Sequence, residues 1–282
     1  MTDIITRRMQ AEDLAEGLRL TQAESWAYRL EDWSFHYRVG RGWIACDAGG
    51  RVLGTALWWP YGDRFATVGL VIVDRNQQGK GIGRRLMNAV MEDAGTRSLQ
   101  LVATRAGTRL YEQCGFREQS AIHQRQGIPT GIARAGETGE AGLRPVVSAD
   151  VSTIGQWDSQ AFGTDRTEII ATVLESGKGV LAARGGRLCG YALARPAGRG
   201  TTIGPVVAED ERLAIELIAR LLQRGIGGFT RLDVPADATA LGNWLESAGI
   251  VQVDHAAVMV RGTPPTRGGP ARVFGLVSQA LT

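Results

Sequence analysis

Four stretches near the front of this chain recur in the same order about 135 residues later. Arg8 pairs with Arg144 at an offset of 136. Gly54-Thr-Ala-Leu-Trp-Trp-Pro60 pairs with Gly190-Tyr-Ala-Leu-Ala-Arg-Pro196, also at 136. Thr67-Val-Gly-Leu-Val-Ile-Val73 pairs with Thr202-Ile-Gly-Pro-Val-Val-Ala208 at 135, and Leu110-Tyr-Glu-Gln-Cys-Gly-Phe116 with Trp244-Leu-Glu-Ser-Ala-Gly-Ile250 at 134. Matches in order with so little drift imply one fold used twice, against the alternative of coincidence between generic strand sequences. The length of 282 residues fits two ordinary domains. Residues 126–142 are glycine-rich and lack aromatics, the composition of a linker. The expected division is therefore 1–125, a linker at 126–142, and 143–282.

Patterning within the first repeat predicts a mixed α/β unit. Ile4–Met9 reads as a strand, Ala11–Leu20 and Gln22–Leu30 as helices, and 43–48, 52–59 and 66–73 as three strands, with Gly49-Gly50 as a tight turn. Ile82, Leu86, Met87, Val90 and Met91 fall at helical spacing over 81–91. Leu99–Ala103 is a further strand, and Thr108–Cys114 a helix closed by Gly115.

Composition narrows the function classes. Glycine accounts for 38 residues without a Gly-X-Y period, and 44% of the chain is hydrophobic, which excludes collagen and general disorder. A net charge of +3 with no run of five like charges is not a nucleic-acid footprint. No apolar run is long enough to span a membrane, and the start lacks a signal-peptide layout. Three widely spaced cysteines make neither a disulfide framework nor a metal set. The expectation is a soluble, cytoplasmic protein without a metal, a monomer or homodimer.

Lys80, one of only two lysines, lies in the most glycine-dense segment, Gln78-Gly-Lys-Gly-Ile-Gly83. This loop joins strand 66–73 to helix 81–91. Small residues let a ligand approach the backbone. Free amides and a helix N-terminus then make an anion site, which Lys80, Arg84 and Arg85 reinforce with positive charge. The spacing fits neither a Walker loop nor the dinucleotide fingerprint.

Gln78-x-x-Gly81-x-Gly83 resembles the Gln/Arg-x-x-Gly-x-Gly/Ala signature of the GNAT (Gcn5-related N-acetyltransferase) superfamily, and Leu110-Tyr-Glu-Gln-Cys-Gly-Phe116 resembles that family's Leu-Tyr-Glu-Lys-Leu-Gly-Phe element. The resemblance implies two tandem GNAT folds, each a mixed, mostly antiparallel sheet flanked by helices, with a splayed central strand in the first. It implies acetyl-CoA as co-substrate. The backbone of Val71, Ile72 and Val73 would bond the pantetheine arm, and the amides of Gly79, Lys80, Gly81, Ile82, Gly83 and Arg84 would hold the pyrophosphate. A strand amide near Val71 would polarise the thioester carbonyl. Tyr111 would protonate the departing thiolate, as a positioned weak acid can. Cys114 reads as core. Thr104 stands where many members carry a coenzyme-binding Asn.

The first repeat departs from the family in having no carboxylate on the strand that often carries the general base. Glu24, Glu31, Asp32 and His36 are the candidates, against the competing reading of each as a helix residue in solvent; His123 and His255 follow strands and have the same double reading. Trp26 and Trp33 fall where an acceptor pocket's aromatic wall would be, or in the core. In the second repeat, an offset of 135 maps the glycine loop onto Leu213-Ala-Ile-Glu-Leu-Ile218, with Glu216 opposed to a phosphate, and Tyr111 onto Leu245. That repeat is expected to be a degenerate GNAT-like shell without CoA. Phe162, Asp165 and Arg166 are its candidates for lending side chains to substrate, against helix capping by Asp165 and a surface Arg166. The resulting expectation is an N-acetyltransferase acting directly on a primary amine of a small molecule. The alternative is a non-enzymatic acyl-CoA sensor or interaction protein.

Overall fold

The computed structural model describes residues 4–130, 142–223 and 228–282. The first repeat contains β1 (Ile5–Arg8), α1 (Leu14–Ala23), α2 (Leu30–Arg38), β2 (Arg41–Cys46), β3 (Val52–Tyr61), β4 (Phe65–Val73), α3 (Ile82–Ala94), β5 (Ser98–Ala103), α4 (Thr108–Gln113) and β6 (Arg117–Gly127). The second contains β7 (Gly142–Pro145), α5 (Val151–Phe162), α6 (Thr167–Ser176), β8 (Lys178–Arg184), β9 (Arg187–Ala197), β10 (Gly200–Ala208), α7 (Glu211–Gln223), β11 (Thr230–Pro235), α8 (Thr239–Ser247), β12 (Val251–Arg261) and β13 (Arg272–Gly275). Among the described residues, no helix is long and apolar enough to cross a membrane.

Two compact units result. The first comprises the chain up to Gln119 with Val258–Pro264 and Leu281; the second comprises Ser120–Ala257, Pro265–Ala280 and Thr282. This border differs from the one expected at 126–142. Gln126 and Gly127 close strand β6, where they pair with Arg231 and Thr230 of β11; residues 131–141 of the expected linker lie outside the described residues.

In the first unit β1, β2, β3 and β4 are antiparallel neighbours in that order, and β5 joins β4 in parallel. The second unit repeats the plan: β7, β8, β9 and β10 are antiparallel neighbours and β11 joins β10 in parallel. Helix α3 buries Ile82, Leu86, Met87, Val90 and Ala94, one face at helical spacing. Burying such side chains stabilises the unit by roughly 1.5–3 kcal/mol each as an upper estimate. Gly54 lets the helix lie close: a Cβ there would stand 2.7 Å from the Ile72 carbonyl and 3.1 Å from Leu86. Its counterpart Gly190 does the same under Leu217 at 3.0 Å.

Two expectations are corrected. The second helix does not occupy 22–30. Ser25 at φ 61° ends α1, and the Asp32 carboxylate accepts from the Arg29 amide at 2.9 Å, which starts α2 at Leu30. The glycine loop of the first repeat is also not overwritten by Leu213–Ile218. Asp74–Gly81 separates β4 from α3, whereas only Glu209 and Asp210 separate β10 from α7. The loop is deleted, and Leu213–Ile218 is the interior of α7, with Glu216 nearly buried and paired to Arg212 at 3.3 Å.

Candidate active site

Strand β4 is paired with β5 only from Phe65 to Val68. Its other edge stays on β3, but the register shifts between Thr55 and Leu57, so β4 carries one extra residue. Leu70 takes φ 49° there, and its carbonyl accepts from the buried Thr55 hydroxyl at 2.8 Å. A bulge increases local twist, and β4 parts from β5 beyond it. The gap is a cleft of about 450 Å³, lined by Val68–Val73 on one side and Val102 and Thr104 on the other.

The glycine loop closes one end of the cleft. Asp74 anchors its start. The Asp74 amide donates to Leu53, and its carboxylate accepts from Asn76 N at 3.1 Å, Arg51 at 3.1 Å and Arg19 at 3.3 Å. Burial alone would raise the Asp74 pKa, but the Asn76 amide, Arg19 and Arg51 outweigh it and hold the group below the ordinary carboxylate range. Gly79 and Gly81 both take φ 78°, and a Cβ on either would meet nothing within 4 Å. Gly81 is the N-cap of α3 and offers no side chain to the helix's first amides. The loop is thus a concave row of backbone donors at the positive end of a 13-residue helix, with nothing from the described chain filling it. These features fit a pyrophosphate.

Tyr111 lines the same cleft from α4. Its ring packs on Gly107, where a Cβ would stand 2.7 Å away, and edge-on to Phe116 at 6.2 Å. Its phenol makes no hydrogen bond among the described residues. Burial, then Cys114, push its pKa above the ordinary tyrosine value, so the proton stays on through neutral pH. Cys114 is buried, which raises its thiol pKa against the pull of Arg84 and Arg261 and leaves it a poor nucleophile.

Of the residues singled out by sequence, the cleft brings together Val71, Ile72, Val73, Gln78, Gly79, Gly81, Ile82, Gly83, Arg84, Thr104, Tyr111, Glu24 and Trp26. Arg84 is also tied to α4, its guanidinium donating to the Gln113 carbonyl at 3.1 Å. Lys80 is exposed beside the cleft, with Nζ donating to Gln77 at 2.8 Å. Glu24 is the one carboxylate among the described lining residues, and Arg75 pairs with it at 3.0 Å.

The other candidates lie elsewhere. Trp33 is fully buried, its ring pressed on Gly17 of α1 and its Nε1 donating to Thr21. Glu31 is exposed on α2, Asp32 caps that helix, and His36 is buried against Tyr28, Phe35 and Trp59. His123 and His255 lie within β6 and β12 of the second unit. Asp165, one residue before the N-cap Arg166, accepts at 2.8 Å from the Thr167 amide that opens α6. Arg166, a substrate candidate with a surface position as the alternative, is neither: it is 2% exposed. It is bonded to Asp158 at 2.8 and 2.9 Å and to the Thr282 carbonyl, and lies 3.8 Å from the Phe162 ring centroid. Asp158 also accepts from the Tyr191 hydroxyl, so the charge is consumed inside the second unit's core. Sequence reasoning passed over Asp74; its place after a strand and two residues before Asn76 is the pattern of an Asx turn and would have found it.

Two family models, each describing an acetyltransferase (GNAT) domain, match residues 38–118 and 154–275. An uncharacterized N-acetyltransferase of Bacillus subtilis, YitH, is 26% identical over 284 residues, covering 97% of each chain. The fold is similar to that of a putative acetyltransferase from Pyrococcus horikoshii, with a TM-score of 0.79 at 19% identity over 99% of this chain and 96% of the other. It is also similar to a tandem GNAT protein from the clavulanic acid biosynthesis pathway, with a TM-score of 0.65 at 15% identity over 92% and 98%.

Proposed function

The chain belongs to the GNAT family of acetyltransferases, with two such domains in tandem, and on that premise we propose that it moves an acetyl group from acetyl-CoA directly to a primary amine of a small molecule in the first unit's cleft. Family membership makes it an acyltransferase and sets aside the sensor reading. The observation that carries the proposal is a coincidence in one cleft: among the described residues, an unpaired strand edge, an uncapped helix N-terminus and an unpartnered phenol all line it.

In this reading the open edge at Val71–Val73 aligns the pantetheine arm by main-chain hydrogen bonds. The loop amides from Gly79 to Arg84 hold the pyrophosphate. A strand amide beside the bulge polarises the thioester carbonyl, in place before the reaction and without reorganisation. The amine nitrogen bonds to the carbonyl carbon, the carbon–sulfur bond breaks, and its electron pair leaves on sulfur. Tyr111 donates a hydrogen bond to that sulfur as charge develops, and its proton follows. The proton lost by the amine goes to Glu24 or to water. Trp26 offers the acceptor an aromatic contact beside Glu24.

The test is thiol release from acetyl-CoA across a panel of small amines, with Tyr111→Phe alongside. General acid catalysis contributes about a hundredfold or more. The variant is expected to lose that much turnover and to keep its coenzyme affinity. Parallel losses in turnover and affinity would make Tyr111 a packing residue, and no release with any amine would overturn the acceptor class.

A further inference from the structure

The cleft that is open in the first unit is filled in the second by the chain itself. The two units match strand for strand: β10 carries the same extra residue as β4, its register to β9 shifting between Ile203 and Val206. Parallel pairing of β10 with β11 is likewise short, at Thr201 and Thr202. Beyond it lies the position equivalent to Val71–Val73, namely Val206–Ala208. In the first unit this edge lines the cleft and has no strand partner on the β5 side among the described residues. In the second it pairs antiparallel with β13: Val206 opposite Gly275, Val207 opposite Val273, Ala208 opposite Arg272. The next residue, Leu276, donates its amide to the Asp233 carbonyl of β11 at 2.9 Å. The segment therefore bonds both arms of the splay. It fits so closely that a Cβ on Gly204 would stand 1.7 Å from the Leu276 carbonyl. Phe274 is 1% exposed and belongs to the unit's core.

The anion end is closed too. With the glycine loop deleted, Asp210 accepts from the Leu213 amide at 2.8 Å and caps α7, and Glu211 accepts from the Leu241 amide of α8 at 2.8 Å. Two carboxylates thus stand where the first unit presents bare amides.

We propose that Arg272–Leu276 is an internal ligand of the second unit, added to the open strand edge in the manner of a bound peptide, and that each chain therefore takes one coenzyme, in the first unit. The inference rests on reading the first unit's cleft as the coenzyme site. Amide hydrogen exchange of the full chain, read by mass spectrometry with and without coenzyme A, tests both separately, together with a calorimetric titration. In the free protein, Val206–Ala208 and Arg272–Leu276 are expected to exchange at least tenfold more slowly than Val71–Val73. Saturating coenzyme A slows Val71–Val73 and leaves the other two segments unchanged, at one molecule bound per chain. Rapid exchange of Val206–Ala208 in the free protein, a gain in its protection with coenzyme A, or two molecules bound would overturn the proposal. Slow exchange there with no response at Val71–Val73 would uphold the internal ligand and overturn the coenzyme site of the first unit.

Discussion

Helix α3 has a positive-φ glycine at each end, and only one of them lines the cleft. Gly81 opens the helix at φ 78° and Gly95 closes it at φ 65°. At both, a Cβ would meet nothing within 4 Å, so alanine brings backbone strain and no clash with the protein. Strain of this kind costs about 1–2 kcal/mol, each kcal/mol lowering Tm by about 4 °C in a unit of this size. Gly95, at ψ −128°, is the harsher site. The two variants diverge in binding. The Gly81 methyl stands in the space offered to an anion, and losing one amide contact to a charged group costs about 1.5–3 kcal/mol, roughly tenfold to a hundredfold in Kd. Gly95→Ala leaves Kd unchanged while lowering Tm at least as much. Gly81→Glu adds like-charge repulsion and abolishes binding. Melting curves and coenzyme A titrations on the three proteins decide the matter. Equal changes in Kd for the two alanine variants, or full affinity in Gly81→Glu, would refute the assignment of the cradle.

Two further outcomes are expected. Arg166→Ala leaves Asp158 buried without its ion-pair partner, and breaking such a pair costs about 3–5 kcal/mol; an unfolding free energy from denaturant titration lowered by less than about 1 kcal/mol would refute the structural role of the pair. The pKa values of Asp13, Asp74 and Asp93 are lowered in the folded state, in each case against burial, chiefly by hydrogen bonds from Arg7, the Asn76 amide and Arg8 respectively. Depressed carboxylates contribute stability that is present above the unfolded pKa near 4 and lost as pH falls through the folded values. Unfolding free energy measured against pH should therefore stay level down to about pH 5 and decline below about 4, with a shallower decline in Asp74→Asn; an unchanged slope in that variant would show that Asp74 carries none of it.

The parts of the fold that follow from period and turn chemistry were legible. The strand order, the buried face of α3 and the glycine punctuation at Gly49-Gly50 and Gly115 all speak locally. The placing of the loop and Tyr111 in one cleft was legible for a related reason: each belongs to a short run of adjacent residues, 78–83 and 110–116. What stayed hidden depends on partners far away in the chain. Nothing in Leu70 announces a positive φ; its conformation is set by Thr55 and the mismatch with β3. The loss of Asp74–Gly81 from the second repeat was masked because the matched stretches that flank it, 67–73 and 110–116, keep offsets of 135 and 134 although the helix directly after the loop starts at an offset of 129. Arg272–Gly275 carries no mark of a strand that belongs beside Val206–Ala208. The burial of Arg166 stayed hidden because Asp158, which pairs with it, and Tyr191, whose hydroxyl bonds Asp158, lie 8 and 25 positions away.

The membership of Val258–Pro264 in the first unit has a consequence for synthesis of the chain. Ser98 of β5 receives the Thr263 amide at 2.9 Å, and this contact does not exist until residue 263 has left the ribosome. At about 5–20 residues per second, the stretch between Gln119 and Pro264 takes on the order of ten to thirty seconds to translate. Throughout that interval the nascent first unit has its loop, its Tyr111 and most of its sheet, but not its last segment. The first unit is begun first and finished last, so a pause or truncation before residue 258 leaves it without Val258–Pro264.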